Sequence, residues 1–264
     1  MTLWVVRSGK YGEREALALD NGLAVIRWDD LPDLAKFKTR DDLRAALQAA
    51  LPDASTKTLA NWESQLWPFA HVMEKGDLIV MPLKTRAAIA IGRVTGPYSF
   101  RTDIGDARHT RPVEWIKEVQ RSAFAQDLLY SFGSFMTVCR VARNNAEQRV
   151  LAVLGGKADP MLSGTAMGTA QVQKAGATAK DDVLPDEATA TVDLAQVADD
   201  AIRLRIGTAF KGHKLSTLIG AILETQGYRV VVSPPGADGG VDIVAGKGAL
   251  GFDEPRLVVQ VKSQ

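Results

Sequence analysis

The stretch Ser233-Pro-Pro-Gly-Ala-Asp-Gly-Gly-Val-Asp-Ile-Val-Ala245, followed by Leu257-Val-Val-Gln-Val-Lys-Ser263, decides how this chain is read. Gly236, Gly239 and Gly240 allow a tight turn. Asp242 follows that turn at the start of an apolar run. The second run carries Gln260 and Lys262 with one residue between them. Alternate side chains of a strand share a face, so Gln260 and Lys262 are expected to point the same way, beside Asp242 if the two strands pair. A carboxylate, an amide oxygen and an ammonium so placed can hold a divalent cation and a scissile phosphate. Mg²⁺ or Mn²⁺ prefers oxygen ligands. Asp242 offers a carboxylate, Gln260 an amide oxygen and Val261 a backbone carbonyl. Such an ion activates water and neutralises charge at the phosphate. Lys262 can orient the water or stabilise the developing charge. Taken singly, Asp242 could merely follow a β-turn, and Lys262 could be solvated; the order of the whole pattern carries the reading.

Working outward, an apolar helix is expected over Leu215 to Gln226, ended by Gly227, and a strand over Tyr228 to Ser233. The order is helix, strand, turn, strand, loop, strand. His213 before the helix and Glu224 near its end are possible helpers at the site. A preceding helix near Asp193 presents Leu194, Val197, Ala198, Ile202 and Leu204 as an apolar stripe. Before it, residues 155–190 are rich in Gly, Ala, Thr and Asp and hold no aromatic residue. Such a segment cannot bury a core, so residues 155–192 are expected to be a flexible linker. It is acidic: residues 155–200 carry 3 Lys+Arg against 8 Asp+Glu, whereas residues 1–154 carry 21 against 18 and residues 201–264 carry 8 against 5. Two slightly basic parts flanking an acidic connector are compatible with nucleic acid without demanding it.

Residues 1–154 read as a separate domain. Strands are expected at Leu3–Arg7, Leu23–Trp28, Leu78–Met81, Ala87–Val94, Val113–Val119 and around Cys139. Helices are expected at Glu13–Leu19, from a Thr39 cap through Ala50, from Ser55 or Thr56 through Phe69, and around Phe124–Tyr130. This pattern predicts a small, mostly antiparallel α+β barrel with inserted helices. Cys139 is the single cysteine, which excludes an internal disulfide; a buried, inert thiol is the better reading. No apolar run approaches the roughly 20 residues that span a bilayer, and the N-terminus does not read as a secretory signal. The expectation is a cytoplasmic protein with no membrane partner.

The run Gly227-Tyr228, Gly239-Gly240-Val241-Asp242-Ile243 and Val259-Gln260-Val261-Lys262 resembles the Mrr-like restriction endonuclease domain, the PD-(D/E)XK branch in which Gln replaces the second acidic residue. The resemblance covers residues 207–264. It implies an α/β restriction-endonuclease-like fold over residues 193–264 and metal-dependent cleavage of double-stranded DNA. Asp242, Gln260 and Lys262 would be the core site. Restriction enzymes of this kind often act against modified DNA. Two departures stand out. Many relatives carry a Glu near the start of the first helix, where this chain has Leu215-Ser216. The family core also continues with a helix and a strand after the Lys-bearing strand, so this domain is expected to be incomplete at its C-terminus.

Trp4-Val-Val-Arg-Ser-Gly9, Ala24-Val-Ile-Arg-Trp28, Asn61-Trp-Glu-Ser-Gln65 and Gly76-Asp77-Leu-Ile-Val80 resemble the PUA/EVE-like domain found ahead of Mrr-type nucleases. Relatives bind a modified base flipped out of the duplex. A flipped base needs aromatic faces and polar edges; Trp28 with Trp62 and Trp67 would supply faces, and Arg7, Ser8, Asn61 and Gln65 edges. The tryptophans could equally be core. The reading is a modification-dependent endonuclease, homodimeric on DNA because a double-strand break needs two single-site domains. The alternative is a non-catalytic reader of modified nucleic acid with a degenerate or truncated nuclease domain.

Overall fold

The computed structural model describes residues 1–105, 107–162, 193–234, 240–251 and 253–262. Residues 163–192, most of the expected linker, and Gly236 and Gly239 of the expected turn lie outside the described residues. The chain forms two compact units, Met1–Val197 and Ala198–Gln264.

Unit 1 is built on a seven-stranded sheet that curls into a half-barrel. Its strands are β1 (Leu3–Val6), β2 (Leu23–Ile26), β3 (Leu78–Pro82), β4 (Ala88–Val94), β5 (Ser99–Phe100), β6 (His109–Gln120) and β7 (Val138–Arg140). The order is β2-β6-β4-β3-β1-β7, with β5 on β6. Only the β1–β3 pair is parallel. All four residues of β1 are buried, because both faces of this strand are covered. Leu3 and Val5 enter one core with Phe124, Phe132, Cys139 and Val150. Trp4 and Val6 enter the other with Leu43, Leu47, Leu59, Leu66 and Phe69.

Helices close both faces. On the Trp4 side, α2 (Arg40–Ala50) starts from a capping box between Thr39 and Asp42, and α3 (Thr56–Trp67) starts from Ser55. α1 (Glu15–Asp20) precedes β2. On the Leu3 side lie α4 (Gln126–Phe132) and α5 (Ala146–Leu154). α5 was not expected from the sequence. Its Arg149 pairs with Asp127 and with Asp159, which is fully buried. That pairing draws residues 155–162 back onto the unit, so its folded part extends beyond residue 154. Cys139 is buried, as expected.

Unit 2 contains most of α6 (Leu194–Ala209), then α7 (His213–Thr225) and a three-stranded antiparallel sheet. The strands are β8 (Arg229–Val232), β9 (Ile243–Lys247) and β10 (Asp253–Val259), in the order β10-β9-β8. Leu194, Ile202 and Leu204 of the expected apolar stripe on α6 are exposed. α7 lies against the sheet through Gly220, where an added Cβ would stand 2.8 Å from Val232 Cγ2 and 3.4 Å from Val230 Cγ1. Gly220→Leu should therefore lever α7 off β8, costing roughly 1–3 kcal/mol by overpacking. Hydrogen exchange of the β8 amides in the intact chain would read this as lost protection; unchanged protection would contradict the close packing. Among the described residues no helix is long and apolar enough to cross a membrane.

Candidate functional site

The nuclease-type residues gather where β9 and β10 meet. Val259 pairs with Ile243 at the end of the ladder. One step further, the Asp242 N–H donates to the Val259 carbonyl at 3.0 Å, and the Ser233 N–H donates to the Asp242 carbonyl at 2.8 Å. The Asp242 backbone is thus tied to the segments following both β10 and β8. The Val261 N–H donates to Asp242 Oδ2 at 2.8 Å. β10 therefore ends at Val259, earlier than the sequence suggests, because the next free N–H turns to a side chain instead of a strand. Gln260 and Lys262 lie just beyond the ladder and are exposed. The Gln260 amide stands 3.2 Å from where a Cβ on Gly240 would be, with Gly240 at φ +88°. A side chain at 240 would thus be strained and would crowd the amide.

These donors fit a hard divalent ion. Asp242 Oδ1 takes no hydrogen bond from the described residues, and the half-buried carboxylate is held from one side only. Gln260 adds a neutral oxygen. Among the described residues no group of three His, Cys, Asp or Glu could hold a metal, so the set is carboxylate-poor. Mg²⁺ accepts such a set because it keeps much of its water. The Val261 N–H is engaged with Asp242, which fixes the backbone whose carbonyl was expected to be a third ligand. His213 and Glu224 are both exposed, near opposite ends of α7. Eleven positions of helix separate them by roughly 16 Å, so they cannot both serve one metal. Ser216, where the family's Glu would fall, is buried.

In unit 1 the expected base-binding residues are linked by contacts and not by a shared strand end, because the end of β1 is level with the end of β6 and the end of β2 with its start. β1 and β3 run parallel, and Ile26 at the end of β2 pairs with His109 at the start of β6. Arg7 and Ser8 follow β1. The Arg7 N–H donates to the Thr137 carbonyl at 2.9 Å, and Arg7 Nη2 donates to the Phe132 carbonyl at 2.9 Å. Ser8 Oγ contacts Met81 Sδ at 3.0 Å. Gln65 Oε1 accepts the Thr137 N–H at 2.7 Å, and Gln65 Nε2 donates to Asn61 Oδ1 at 2.8 Å. Gln65 is buried and committed at both ends of its amide, so it braces α3 against the β7 approach and holds Asn61, which is exposed. Trp28 and Trp62 are half-buried and meet edge to face, 6.5 Å between centroids. Trp67 is placed differently, stacked on His71 at 4.1 Å with Arg40 over the ring.

Trp28 has φ +93°, a conformation an aromatic residue avoids. β2 therefore stops at Ile26, short of the expected Trp28. Two donors hold the Trp28 carbonyl: the Leu31 N–H at 2.9 Å and His109 Nε2 at 2.9 Å. His109 Nδ1 in turn takes the Tyr98 hydroxyl at 2.7 Å, whose oxygen accepts the Leu34 N–H at 3.1 Å. This relay requires a neutral imidazole with its proton on Nε2. Burial lowers the His109 pKa, opposed by the Trp28 carbonyl and by Asp29 and Asp33. A lowered folded value means that the unfolded chain binds the proton more readily. Stability from this group is complete above the unfolded value of about 6.5 and declines as pH falls below it. The decline should be smaller in His109→Gln; urea midpoints between pH 8 and 5 would show this, and parallel profiles would refute it. His109 was not singled out from the sequence, because the strand starting at His109 was read from Val113.

A comparison with curated proteins finds no match. Two chains of solved structures match, one being the YTH domain of the Zygosaccharomyces rouxii MRB1 protein in complex with N6-methyladenosine RNA. That likeness has 10% identity and a TM-score of 0.30, covering 58% of this chain and 86% of that one. Residues 208–264 match the restriction endonuclease family model Mrr_cat, the segment that holds Asp242, Gln260 and Lys262. Residues 4–141, just over half of the chain and nearly all of the half-barrel, match a second model. The chain thus belongs to the family described as domain of unknown function DUF8426, with a restriction-endonuclease segment behind it.

Proposed function

We propose that this chain is a metal-dependent DNA endonuclease whose N-terminal unit selects a modified, flipped base. The observation that carries the nuclease part is the hold on Asp242. Its carboxylate is anchored by the Val261 N–H, between Gln260 and Lys262, inside the segment that matches restriction endonucleases. Asp242 and Gln260 would hold Mg²⁺ or Mn²⁺. When bound, the ion supplies charge neutralisation at the phosphate and an acidified water. Lys262, exposed beside them, holds the scissile phosphate or stabilises charge on its oxygens. Gly240 leaves room for the Gln260 amide and for a close backbone. One such site cuts one strand, so double-strand cleavage would take a homodimer on DNA.

The reader part is supported by the exposed Asn61, held by Gln65, and by Trp28 meeting Trp62 next to it in the chain. The strained Trp28 backbone also supports it, since such strain concentrates at functional sites. The test uses the full chain with duplexes that carry or lack a modified base, with and without Mg²⁺. Trp28→Ala should reduce discrimination between the duplexes by about tenfold, the scale of losing one stacked base contact of 1–3 kcal/mol. Equal affinity of wild type for both duplexes would end the modified-base reading.

A second reading, a non-catalytic reader of modified nucleic acid, is favoured by Leu215-Ser216 where a helix Glu is expected and by the lack, among the described residues, of any group of three metal-binding side chains. It expects modification-dependent binding with no cleavage in either metal.

A further inference from the structure

Past the ends of β1 and β3, unit 1 holds an unusual charge arrangement. Arg7 at the end of β1 is nine-tenths buried, and its Nε has no hydrogen-bond partner. Lys84 follows β3, the parallel neighbour of β1. The buried Arg121 lies within electrostatic reach of Arg7. Two carboxylates lie here: the buried Glu15 accepts the Lys84 and Thr85 N–H groups, and Asp193 takes the Lys84 ammonium. Asp193 Oδ2 lies 2.6 Å from Lys84 Nζ, and the same carboxylate also acts on Arg7. Asp193 comes from a remote part of the chain, 109 positions from Lys84. The Asp193 N–H donates to the Gly133 carbonyl at 2.9 Å, and Gln196 Oε1 accepts from Lys84 at 3.2 Å. Asp193 Oδ1 accepts the Gln196 N–H at 3.1 Å, starting α6. Asp193 is buried, while the next two residues, Leu194 and Ala195, are exposed. A helix start held by polar contacts beside exposed residues opens locally more readily than a packed core.

We infer that Lys84 and Arg7 form a subsite for a nucleic-acid phosphodiester, and that Asp193 fills it in the free protein. The chemistry is an exchange of anions at the Lys84 ammonium, with Glu15 kept by the backbone N–H groups. A carboxylate and a phosphodiester each carry one negative charge and accept from an ammonium, so one displaces the other. Arg7 Nε, left without an acceptor when the carboxylate is present, gains one from a phosphate, which offers a second free oxygen. Binding along the backbone then releases Asp193, and with it the first turn of α6. The subsite is independent of base modification and of cleavage, because it reads only the backbone.

The test measures hydrogen exchange of the wild-type full chain without Mg²⁺, alone and with saturating unmodified duplex. The amides of Asp193, Gln196 and Val197 are expected to exchange faster with duplex; unchanged or slower exchange overturns the proposal. Inorganic phosphate at millimolar concentration should not reproduce the effect, and if it does, the subsite belongs to free anions. In parallel, Asp193→Asn should bind unmodified duplex more tightly, on the order of tenfold, the factor imposed by a latch closed about 90% of the time. Its log affinity should fall more steeply with log salt, by a slope of about 0.9 for one more phosphate contact. Lys84→Ala in that background should cancel both gains. Asp199→Asn makes the same charge change on the same helix, where Asp199 pairs with Arg203. An equal gain there would assign the effect to net charge and overturn the proposal. Should Asp193→Asn fail to fold, the wild-type exchange result decides alone.

Discussion

Asp242→Ala is expected to lower DNA cleavage by on the order of 10³-fold, the scale of removing a group that stabilises transition-state charge. DNA affinity should stay near wild type, since the residues proposed to read the base lie in the other unit. The reason is the position of the carboxylate. It accepts the Val261 N–H with one oxygen and leaves the other for a cation. Among the described residues no group of three His, Cys, Asp or Glu could hold a metal in its place. Lys262→Ala should act on the same scale. Gln260→Glu should retain activity, because it keeps an oxygen at the same reach and adds the charge that the site lacks. The measurement is single-turnover cleavage of a modified duplex in Mg²⁺ and in Mn²⁺. Cleavage that survives Asp242→Ala would remove this site from consideration. A wild type that binds and never cleaves would decide for the non-catalytic reading.

Arg149→Met should cost unit 1 about 3–5 kcal/mol, the range for breaking a buried ion pair from one side. Arg149 Nε and Nη2 donate to the two oxygens of Asp159 at 2.7 Å each, while Nη1 and Nη2 reach Asp127 at 2.6 and 2.9 Å. Asp159 also accepts the Ala125 and Met161 N–H groups. Burial alone would raise the Asp159 pKa. The Arg149 fork and the two amides outweigh it and hold the carboxyl below its ordinary value. Its contribution is therefore present above the unfolded value of about 3.9 and is lost as pH falls through the lower folded value. In Arg149→Met only burial and the amides remain, and a lone buried carboxylate is protonated more easily. The deficit against wild type should thus shrink between pH 7 and 4. Urea denaturation at both pH values checks this; a deficit under about 1 kcal/mol, independent of pH, would mean that the pair is not what closes α5 onto α4.

Much of this structure was legible from local chemistry. Thr39 with Asp42 and Ser55 with Thr58 are caps written in adjacent residues, and both helices begin there. β3, β4 and β7 are apolar runs between turn signals, and each forms. The pattern around Asp242 pointed to the right pair of strands, because turn glycines and alternation are local rules. What escaped was non-local. α5 begins after Asn144 and Asn145, both at positive φ, and is secured by an arginine that meets carboxylates 22 and 10 positions away. Gln65 looked like a base-reading group, yet its amide oxygen serves a backbone 72 positions on. The end of β10 was misplaced because a side chain took the N–H that alternation assigns to a strand.

The place of β1 between β3 and β7 has a consequence for synthesis. This strand is the first to be made, and it pairs with β3, about 75 residues later, and with β7, about 135 residues later. Both apolar faces of Leu3–Val6 therefore wait uncovered while the intervening chain emerges. The sheet cannot be completed until Val138–Arg140 has left the ribosome, and Arg149 has no Asp159 until the chain is longer still. Such distant pairings make folding slow, and the waiting strand is prone to wrong partners. Expression at reduced temperature or with chaperones should raise the soluble yield of this unit, whereas shortening it before residue 162 should leave it insoluble.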